Sequence, residues 1–493
     1  MLNIWSLPDL AYNKGQIVDA TFVAPNKKRE MKEILNNLIK VSRVWASGGK
    51  VDLSRVKELR SEAILLNHTH YLQNIPLYRK LAGEEGCGQD VDIQTIKEQL
   101  MFTADVFKGY QQEWLDSGDF TRMTQWLAGI YHRSINADIS GIKTIDEWIE
   151  RLSANGIHVV YSSGTSGEFS FVPREKSDWE LSRIANINYL APLWAGRMAG
   201  STLSHLSLKS AVKLMPPDLF ARMVGEKGVS DFDAAFLGFR HGRMGNQALI
   251  EELAPIFRRH YYLYDMTVTG TTLRSLRRGA KTDEEQQQLS RMQEEVSGKE
   301  ETNYLKLIDN IRKSAREKQK VFIFGAPYQF KKLCEVLVRQ KQTLVLTEGS
   351  FILFGGGWKS FNGESISREA LTQMMTDNLN VPPQLILEGY SMTEINSLML
   401  RCKHGRFHIP PIIEPVILDE ELNPLQDKDV KGAFGFLDPL AVSYPGFIIS
   451  GDYVRMLDGE CDCGLIGPAI TEIGRMPGSE VKGCGGIMGA LQT

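Results

Sequence analysis

The sequence predicts an α/β protein, and two observations support that fold class. Short apolar stretches alternate with helical segments through the second half of the chain, and each stretch ends in glycine or in a polar cluster. Residues 157–160 form an apolar stretch that runs into a loop of small hydroxyl and glycine residues. Alternating strands and helices favour a sheet that holds its ligands at the carboxyl ends of the strands.

Residues 1–150 are predicted to form a mainly helical N-terminal region. Apolar residues recur every three or four positions over residues 31–46, 53–72 and 95–107. Thr144 is followed three residues later by a glutamate, which predicts a capping box at the start of a further helix. No stretch reaches the ~18 apolar residues of a membrane span, and no signal peptide pattern is found at the N-terminus. We therefore expect a cytoplasmic protein without a membrane span.

Four apolar strands are predicted after the loop, at residues 321–327, 343–349, 351–357 and 383–394. Residues 281–320 are rich in Glu, Gln, Lys and Arg, which indicates a solvated helical excursion. The 493 residues carry 57 basic and 60 acidic side chains, for a net charge of -3 and without a concentrated basic tract. Nucleic acid is therefore not an expected partner.

The hydroxyl and glycine loop has the composition of a phosphate-binding loop. Its glycines allow close backbone approach to an anion, and its hydroxyls add donors to the exposed amides. A flexible turn has the same composition, so the loop alone leaves both interpretations open. The pattern G-x-x-x-x-G-K-[ST] is absent, which disfavours an ordinary P-loop NTPase. The loop residues concerned are Ser162, Ser163, Gly164, Thr165, Ser166 and Gly167.

Two further polar clusters follow apolar stretches. Thr393 and Glu394 follow the stretch LILE, and their hydroxyl and carboxylate suit phosphate and Mg²⁺. The alternative for this pair is an ordinary strand-to-helix turn with a capping hydroxyl. Asp452 follows YPGFIIS and suits the vicinal hydroxyls of a ribose, although a turn residue is the alternative there.

Six cysteines in a chain of this length are too few for a disulfide scaffold. Cys461 and Cys463 lie one residue apart, and Cys402 and His408 lie upstream, so four thiolate or imidazole ligands suit a tetrahedral zinc ion. His404 in place of His408, or reduced cysteines without a metal, are the alternatives. Four protein ligands leave no open position, so such a zinc would be structural.

Five segments, SSGTSG, GGGWK, GYSMTE, SGDY and GRMPGSEVKGCG, follow the order of the core motifs of the adenylate-forming enzymes, which include the acyl-CoA synthetases. The chain resembles that superfamily. Within it, FGGGWKSFNGESISRE and RFHIPPIIEPVILDEELNPL resemble the LuxE-type acyl-protein synthetases of bacterial bioluminescence, over roughly residues 150–493. DGECDCGLIGPAITEIGR resembles the phenylacetate-CoA ligases.

The resemblance implies the large N-terminal domain of adenylate-forming enzymes, with packed β-sheets and surrounding helices. The adenylate-forming core and its ATP site are expected over residues 151–475. A hinge remnant and tail are expected over residues 476–493, without the C-terminal lid domain. Residues 236–239 would lie at the wall of the acyl site.

The resemblance also implies roles for individual residues. ATP phosphates would contact the hydroxyl and glycine loop, and Thr393 and Glu394 would bind phosphate and Mg²⁺. The ribose would bind at Asp452, and the hinge would lie near Arg475. Adenine and the acyl carboxylate would lie beside Gly355, Gly356, Gly357, Gly389, Tyr390 and Ser391. Arg174 replaces the lysine that usually ends the phosphate loop, and a guanidinium also binds phosphate.

The implied activity is ATP-dependent activation of a fatty or aromatic carboxylic acid as an acyl-adenylate. The acyl group would then pass to Cys484 of the chain itself, to CoA or to a partner protein. Lys482 would lower the pKa of that thiol, whereas a free cysteine in a frayed terminus is the alternative. A second class of function is a non-catalytic nucleotide-binding scaffold subunit of a biosynthetic or acyl-reductase complex.

Overall fold

The computed structural model describes residues 25–163, 168–197, 215–223, 232–358 and 365–476. Its α-helices follow in chain order. They are α1 (Pro25–Ala46), α2 (Leu53–Asn74), α3 (Pro76–Glu84), α4 (Ile93–Gln99), α5 (Gln112–Ser117), α6 (Phe120–Gly129), α7 (Ile145–Ala154), α8 (Lys176–Arg197), α9 (Pro217–Met223), α10 (Gly245–Leu253), α11 (Gly270–Arg278), α12 (Asp283–Gln293), α13 (Glu300–Arg316), α14 (Pro327–Arg339) and α15 (Arg368–Leu379).

The strands of the same residues also follow in chain order. They are β1 (Phe102–Thr103), β2 (His158–Ser163), β3 (Phe169–Arg174), β4 (Phe232–His241), β5 (Arg259–Thr267), β6 (Lys320–Gly325), β7 (Phe351–Gly355), β8 (Ile386–Tyr390), β9 (Met399–Arg401), β10 (Phe407–His408), β11 (Glu414–Leu418), β12 (Asp429–Leu437), β13 (Phe447–Glu460) and β14 (Ile466–Arg475).

One large mixed sheet has the strand order β11-β12-β13-β14-β10-β9-β8-β7-β6-β4-β5, and β1 pairs with β13 beside that path. Strands β5, β4, β6, β7 and β8 are parallel neighbours, whereas every pair from β8 to β11 is antiparallel. Strands β2 and β3 form a separate antiparallel pair. The predicted α/β class, with packed strands and surrounding helices, is confirmed.

The helices before residue 150 form largely as predicted. Thr144 caps α7 in a capping box, because its hydroxyl accepts from the Glu147 amide at 3.2 Å and the Glu147 carboxylate accepts from the Thr144 amide at 3.2 Å. The helical prediction for residues 95–107 is wrong for residues 100–103, while Ala104–Lys108 form a 3-10 helix. Phe102 and the residue after it pair in parallel with Ile448 and its neighbour, so strand pairing overrides the helical spacing.

The N-terminal helices pack directly on the rest of the molecule. Arg43 of α1 is fully buried and donates to the side chain of Asn188 in α8 at 3.2 Å. Trp45, near the end of α1, donates through its indole nitrogen to the carbonyl of Ile466 at 2.8 Å. A charged and an aromatic side chain thus fix α1 to α8 and to the start of β14.

Three of the four predicted strands form, as β6, β7 and β8. Residues 343–349 form no strand, so that prediction is wrong. The amides of Leu344 and Leu346 donate to the carbonyls of Asn378 and Leu379 at the end of α15, at 2.8 and 3.4 Å. Carbonyls in the last turn of a helix lack partners inside the helix, and here an extended segment supplies donors.

Residues 281–320 form α12 and α13, which agrees with a helical excursion, but α13 is not solvated on all sides. It buries Tyr304, Leu307, Ile308 and Ile311, which follow the three- and four-residue spacing of one helix face. The abundance of charged residues hides this apolar stripe in the composition. Among the described residues, no helix is long and apolar enough to cross a membrane.

Candidate nucleotide and metal sites

Two glycine segments meet at the carboxyl ends of β7 and β8. Gly355 and Gly389 are register partners in these parallel strands. A Cβ atom at Gly355 would lie 2.7 Å from the Gly389 carbonyl oxygen, so a side chain is excluded there. Gly356 follows with φ +84°, a left-handed conformation that favours glycine. This edge of the parallel strands is where open α/β sheets bind ligands.

Tyr390, Asp452 and Arg475 form a hydrogen-bonded group beside these glycines. The Tyr390 hydroxyl donates to Asp452 Oδ2 at 2.7 Å, and Arg475 Nη1 lies 2.9 Å from Asp452 Oδ1. Asp452 and Arg475 are cross-strand partners in β13 and β14. Burial and the neighbouring Asp452 charge raise the pKa of Tyr390, so its hydroxyl stays protonated as the donor.

The contact between Tyr390 and Asp452 requires a strongly curled sheet. Three strands, β9, β10 and β14, separate β8 from β13 in the sheet order. Four strand spacings in a flat sheet span about 19 Å, which no pair of these side chains can bridge. The short strands β9 and β10, of 3 and 2 residues, therefore turn the antiparallel strands back towards the end of β8. The curl brings two distant parts of the chain into contact.

Thr393 and Glu394 lie in the irregular segment after β8. Glu394 is 5 % exposed, and its charge contributes to the raised pKa of Tyr390, so it belongs to the same electrostatic neighbourhood. The Thr393 carbonyl accepts from Arg174 Nη2 at 2.6 Å, and the Glu394 carbonyl accepts from the Tyr444 hydroxyl at 3.2 Å. The segment is thus held through its backbone.

The hydroxyl and glycine loop connects β2 to β3. Ser163 pairs with Phe169 at the loop end of this hairpin, while His158 pairs with Arg174 at the other end. Gly164, Thr165, Ser166 and Gly167 lie outside the described residues, as does the side chain of Ser163. Ser162 is described and is 7 % exposed. Arg174 therefore lies about 17 Å along β3 from the loop end, because a strand rises about 3.4 Å per residue.

Four side chains converge at the turns that follow β9 and β13. The ligand atoms of Cys402, His408, Cys461 and Cys463 all lie within 4.8 Å of one another. The sulfur atoms of Cys402 and Cys461 are 3.8 Å apart, and Cys463 Sγ lies 3.2 Å from His408 Nε2. His404 is exposed and is not a member of this cluster. The predicted ligand set with His408 is therefore the one that the fold brings together.

The cluster has the dimensions of a tetrahedral zinc site. With zinc–sulfur bonds of about 2.3 Å, two sulfur ligands of a tetrahedron are about 3.8 Å apart, which is the separation of Cys402 and Cys461. Three of the four residues are buried, and Trp45 packs edge-on against the His408 ring at 6.2 Å between centroids. The chemistry and spacing of these donors fit a closed structural metal site.

The residues predicted for the acyl site lie in the core, and those predicted for acyl transfer lie outside the described residues. Phe236, Leu237 and Phe239 of β4 are at most 1 % exposed and belong to the core, so the expectation that residues 236–239 line the acyl site is wrong for these side chains. Their apolar character reflects a strand covered on both faces. Lys482 and Cys484 lie outside the described residues.

The C-terminal part of the chain is similar in sequence to known proteins. Residues 291–492 match the family described as acyl-protein synthetase, LuxE. The long-chain-fatty-acid–luciferin-component ligase of Vibrio harveyi is 25 % identical over 187 residues, which cover 38 % of this chain and 49 % of that protein. Its counterpart from Aliivibrio fischeri is 24 % identical over 152 residues, 30 % of this chain and 40 % of that protein. The matches thus span about half or less of each curated relative.

A solved 2-hydroxyisobutyryl-CoA ligase, in an open conformation with 2-HIB-AMP and CoA, aligns over 85 % of this chain and 70 % of its own, with a TM-score of 0.47 and 14 % identity. The predicted resemblance to acyl-protein synthetases is confirmed for the matched residues. The LuxE match contains Tyr390, Glu394, Asp452, Arg475 and the four metal-cluster residues. It begins at residue 291, so the hydroxyl and glycine loop and Arg174 lie outside it.

The site contains residues that sequence reasoning missed. Tyr444, Asp438 and Asn396 surround the backbone of Thr393 and Glu394, and each is at most 2 % exposed. Asp438 accepts from the Asn396 amide at 2.8 Å. The sequence signal for Asp438 and Tyr444 is that these polar residues lie in the apolar segment FLDPLAVSYPGF. Buried polar groups need specific hydrogen-bond partners.

Proposed function

We propose that this protein activates a carboxylic acid with ATP and transfers the acyl group to a thiol. The observation that carries the proposal is the Tyr390, Asp452 and Arg475 group, because it brings together three residues that the resemblance places at the nucleotide or at the hinge. The match of residues 291–492 to the acyl-protein synthetase family supports the same chemistry. A fatty acid is the substrate class that the names of the Vibrio harveyi and Aliivibrio fischeri ligases suggest.

In the first step, a carboxylate oxygen of the acid forms a bond to the α-phosphorus of ATP. The bond from the α-phosphorus to the bridging oxygen breaks, and pyrophosphate leaves with that electron pair. In the second step, a thiolate adds to the carbonyl carbon of the acyl-adenylate and AMP leaves, which forms a thioester. No oxidant or reductant is needed in either step.

Residues around the Tyr390 group would bind the nucleotide. Asp452 would accept hydrogen bonds from the ribose hydroxyls, and Gly355 and Gly389 would let adenine approach the strand ends. Asp452 is 5 % exposed, and its Oδ2 accepts from Tyr390. Its Oδ1 is ion-paired with Arg475 but accepts no hydrogen bond from the described residues, so a ribose hydroxyl would bind at Oδ1 and displace Arg475. Arg475 would then be released from Asp452 when the nucleotide binds.

The Thr393 and Glu394 segment would hold Mg²⁺ with the ATP phosphates. A carboxylate and a hydroxyl are the hard oxygen donors that Mg²⁺ prefers, so the residues present fit the ion. Mg²⁺ neutralises charge on the phosphates and on the departing pyrophosphate. Ser162, with the loop that follows it, would complete the phosphate contacts from the other side.

The acyl acceptor would be Cys484, CoA or a partner protein, with Lys482 favouring the thiolate of Cys484. Cys402, His408, Cys461 and Cys463 would hold a structural Zn²⁺, which joins the turn after β9 to the turn between β13 and β14. Zinc analysis of the purified protein by mass spectrometry should give about one ion per chain.

A second candidate is a nucleotide-binding scaffold that does not adenylate. One observation favours it: Asp452 and Glu394 are each only 5 % exposed, and Asp452 is ion-paired with Arg475. A scaffold would bind ATP without releasing pyrophosphate. Measurement of AMP and pyrophosphate therefore separates the two candidates.

Intact mass spectrometry after incubation with ATP, Mg²⁺ and single fatty acids of C8 to C18 tests the proposal. We expect a mass increase equal to the acid minus water, removed by neutral hydroxylamine, together with AMP release. Cys484→Ser should keep AMP formation and lose the mass increase if Cys484 is the acceptor, while Cys87→Ser should behave like the wild type. ATP binding without AMP release would support the scaffold instead.

A further inference from the structure

The segment that follows β8 has no regular structure, yet buried side chains hold its backbone at successive positions. Arg174 donates to the Thr393 carbonyl at 2.6 Å, Tyr444 donates to the Glu394 carbonyl at 3.2 Å, and Asp438 accepts from the Asn396 amide at 2.8 Å. A buried backbone group without a partner costs stability, so these side chains replace the bonds that a helix or strand would make.

The same side chains also fix one another. The Tyr444 hydroxyl accepts from Asn396 Nδ2 at 2.9 Å while it donates to the Glu394 carbonyl. The Arg174 guanidinium carbon lies 5.3 Å from the Tyr444 ring centroid and 4.5 Å from that of Trp179. An arginine between two aromatic faces gains cation–π attraction, which offsets part of the cost of burial.

The guanidinium group of Arg174 contacts protein groups and is shielded from solvent. It is 3 % exposed, and its Nη2 donates a charge-assisted hydrogen bond to a carbonyl. Its charge also lowers the pKa of the buried Asp438, which opposes the larger upward effect of burial. The arginine therefore has an electrostatic partner and a backbone partner in one cluster.

We propose that Arg174 and Tyr444 are positioning residues that fix the backbone of Thr393 and Glu394 for Mg²⁺ binding. This inference rests on the proposed function for the metal, and it assigns Arg174 a role other than a phosphate ligand. Thr393 and Glu394 project their side chains from a backbone whose carbonyl groups at both residues accept hydrogen bonds. Loss of the hydrogen bond from Arg174 or from Tyr444 makes this backbone more mobile and lowers its affinity for Mg²⁺.

Each of two variants removes one of these hydrogen bonds, and each is matched by a control with the same substitution at a buried residue outside the segment. Arg174→Lys is matched by Arg43→Lys, since Arg43 is also buried, donates to the Met215 carbonyl at 2.6 Å and lies 4.7 Å from the Phe220 ring. Tyr444→Phe is matched by Tyr304→Phe, since Tyr304 is buried and donates to the Gln329 carbonyl at 3.2 Å.

Hydrogen–deuterium exchange of peptides that contain residues 393–397 is the first measurement, and it does not depend on activity. The second is the Mg²⁺ concentration for half-maximal ATP–pyrophosphate exchange. We expect Arg174→Lys and Tyr444→Phe to speed amide exchange about tenfold and to raise the Mg²⁺ half-saturation about 5- to 10-fold, with the KM of the acid unchanged. The controls should lower the melting temperature without moving either quantity.

Unchanged amide exchange in both variants would overturn the proposal, and so would freed amides with an unchanged Mg²⁺ half-saturation. Equal effects in the controls would also overturn it, because they would indicate general loss of stability. If the wild type exchanges no pyrophosphate with any acid, the proposed function fails. Mn²⁺ affinity in the presence of ATP, measured by electron paramagnetic resonance, then replaces the second measurement for all five proteins.

Discussion

The two ends of the β13 and β14 hairpin carry different chemistry. The open end holds Asp452 opposite Arg475, where the nucleotide is proposed to bind, and the turn holds Cys461 and Cys463 of the metal cluster. The strands between Asp452 and the turn span about 27 Å, at about 3.4 Å per residue. The same hairpin thus carries the proposed nucleotide site at one end and the Cys/His cluster at the other.

The partners at each end explain this contrast. At the turn, one imidazole and three thiols converge, and the sulfur atoms of Cys402 and Cys461 have the separation of two ligands of a tetrahedral zinc ion, which we propose to bind there. At the proposed nucleotide end, the Tyr390 hydroxyl donates to Asp452 Oδ2, and Arg475 forms an ion pair with Asp452 Oδ1, which accepts no hydrogen bond from the described residues. A nucleotide at Asp452 would compete with Arg475, so we expect its binding to be coupled to rearrangement, whereas the proposed zinc would stabilise a cluster that the fold already assembles.

Glu394→Gln should have the largest effect on exchange activity, with a loss of at least about 100-fold. The change removes the carboxylate charge that would bind Mg²⁺ while it preserves size. Glu388→Gln is the matched control, since Glu388 lies in β8 and pairs with Arg368 and Arg401 at 2.8 and 2.9 Å. Retention of a tenth of wild-type ATP–pyrophosphate exchange in Glu394→Gln would rule out the magnesium role.

Asp452→Asn should raise the KM of ATP about 10-fold or more and leave the KM of the acid unchanged. A charged hydrogen bond contributes about 1.5–3 kcal/mol, which corresponds to that factor. Asp429→Asn is the control, because Asp429 also pairs with an arginine across strands, at 2.8 Å from Arg455, but on the surface. Steady-state exchange kinetics measure both constants, and equal KM changes in the two variants would remove the distinction.

Cys461→Ser should lower the zinc content well below one ion per chain and lower the melting temperature, but it should change exchange less than about threefold. The distance between the hairpin ends is the reason for the small effect on activity. Cys87→Ser, outside the cluster, should keep the zinc. Loss of exchange in proportion to zinc would mean that the two ends are not independent.

The smallest effect concerns pH and two carboxylates at the start of α8. Burial, and then the charge of Glu175, raise the pKa of Asp178 to about 6. The folded protein therefore takes up a proton as the pH falls towards 6, and Asp178 destabilises it at higher pH. The pKa of Glu175 lies at about 2, below this range, because hydrogen bonding and charge interactions with His132 outweigh burial.

Urea unfolding of wild type and Asp178→Asn at pH 5 and pH 8 measures this effect. Relative to the variant, the wild type should gain about 1–3 kcal/mol in the free energy of unfolding at pH 5 compared with pH 8. A constant difference, or one of opposite sign, would contradict the assignment.

The sequence was most predictive where chemistry is local. The convergence of three cysteines and one histidine was predicted because thiol and imidazole groups suit a tetrahedral zinc ion, whose binding stays a prediction, and the glycines at the strand ends were predicted from the alternation of strands and turns. The contact of Tyr390 with Asp452 depends on the curl of β9 and β10, which no local pattern encodes. Arg174 and Tyr444 were missed as a pair because their meeting depends on how β3 and the segment before β13 pack.

The most direct test of the central claim is ATP–pyrophosphate exchange by the full chain, with fatty acids of C8 to C18 and phenylacetate as the acids. The account predicts acid-dependent exchange that requires Mg²⁺, disappears in Glu394→Gln and persists in Glu388→Gln. Failure of every acid to support exchange, in a protein that binds ATP, would contradict adenylation and leave a nucleotide-binding scaffold as the function.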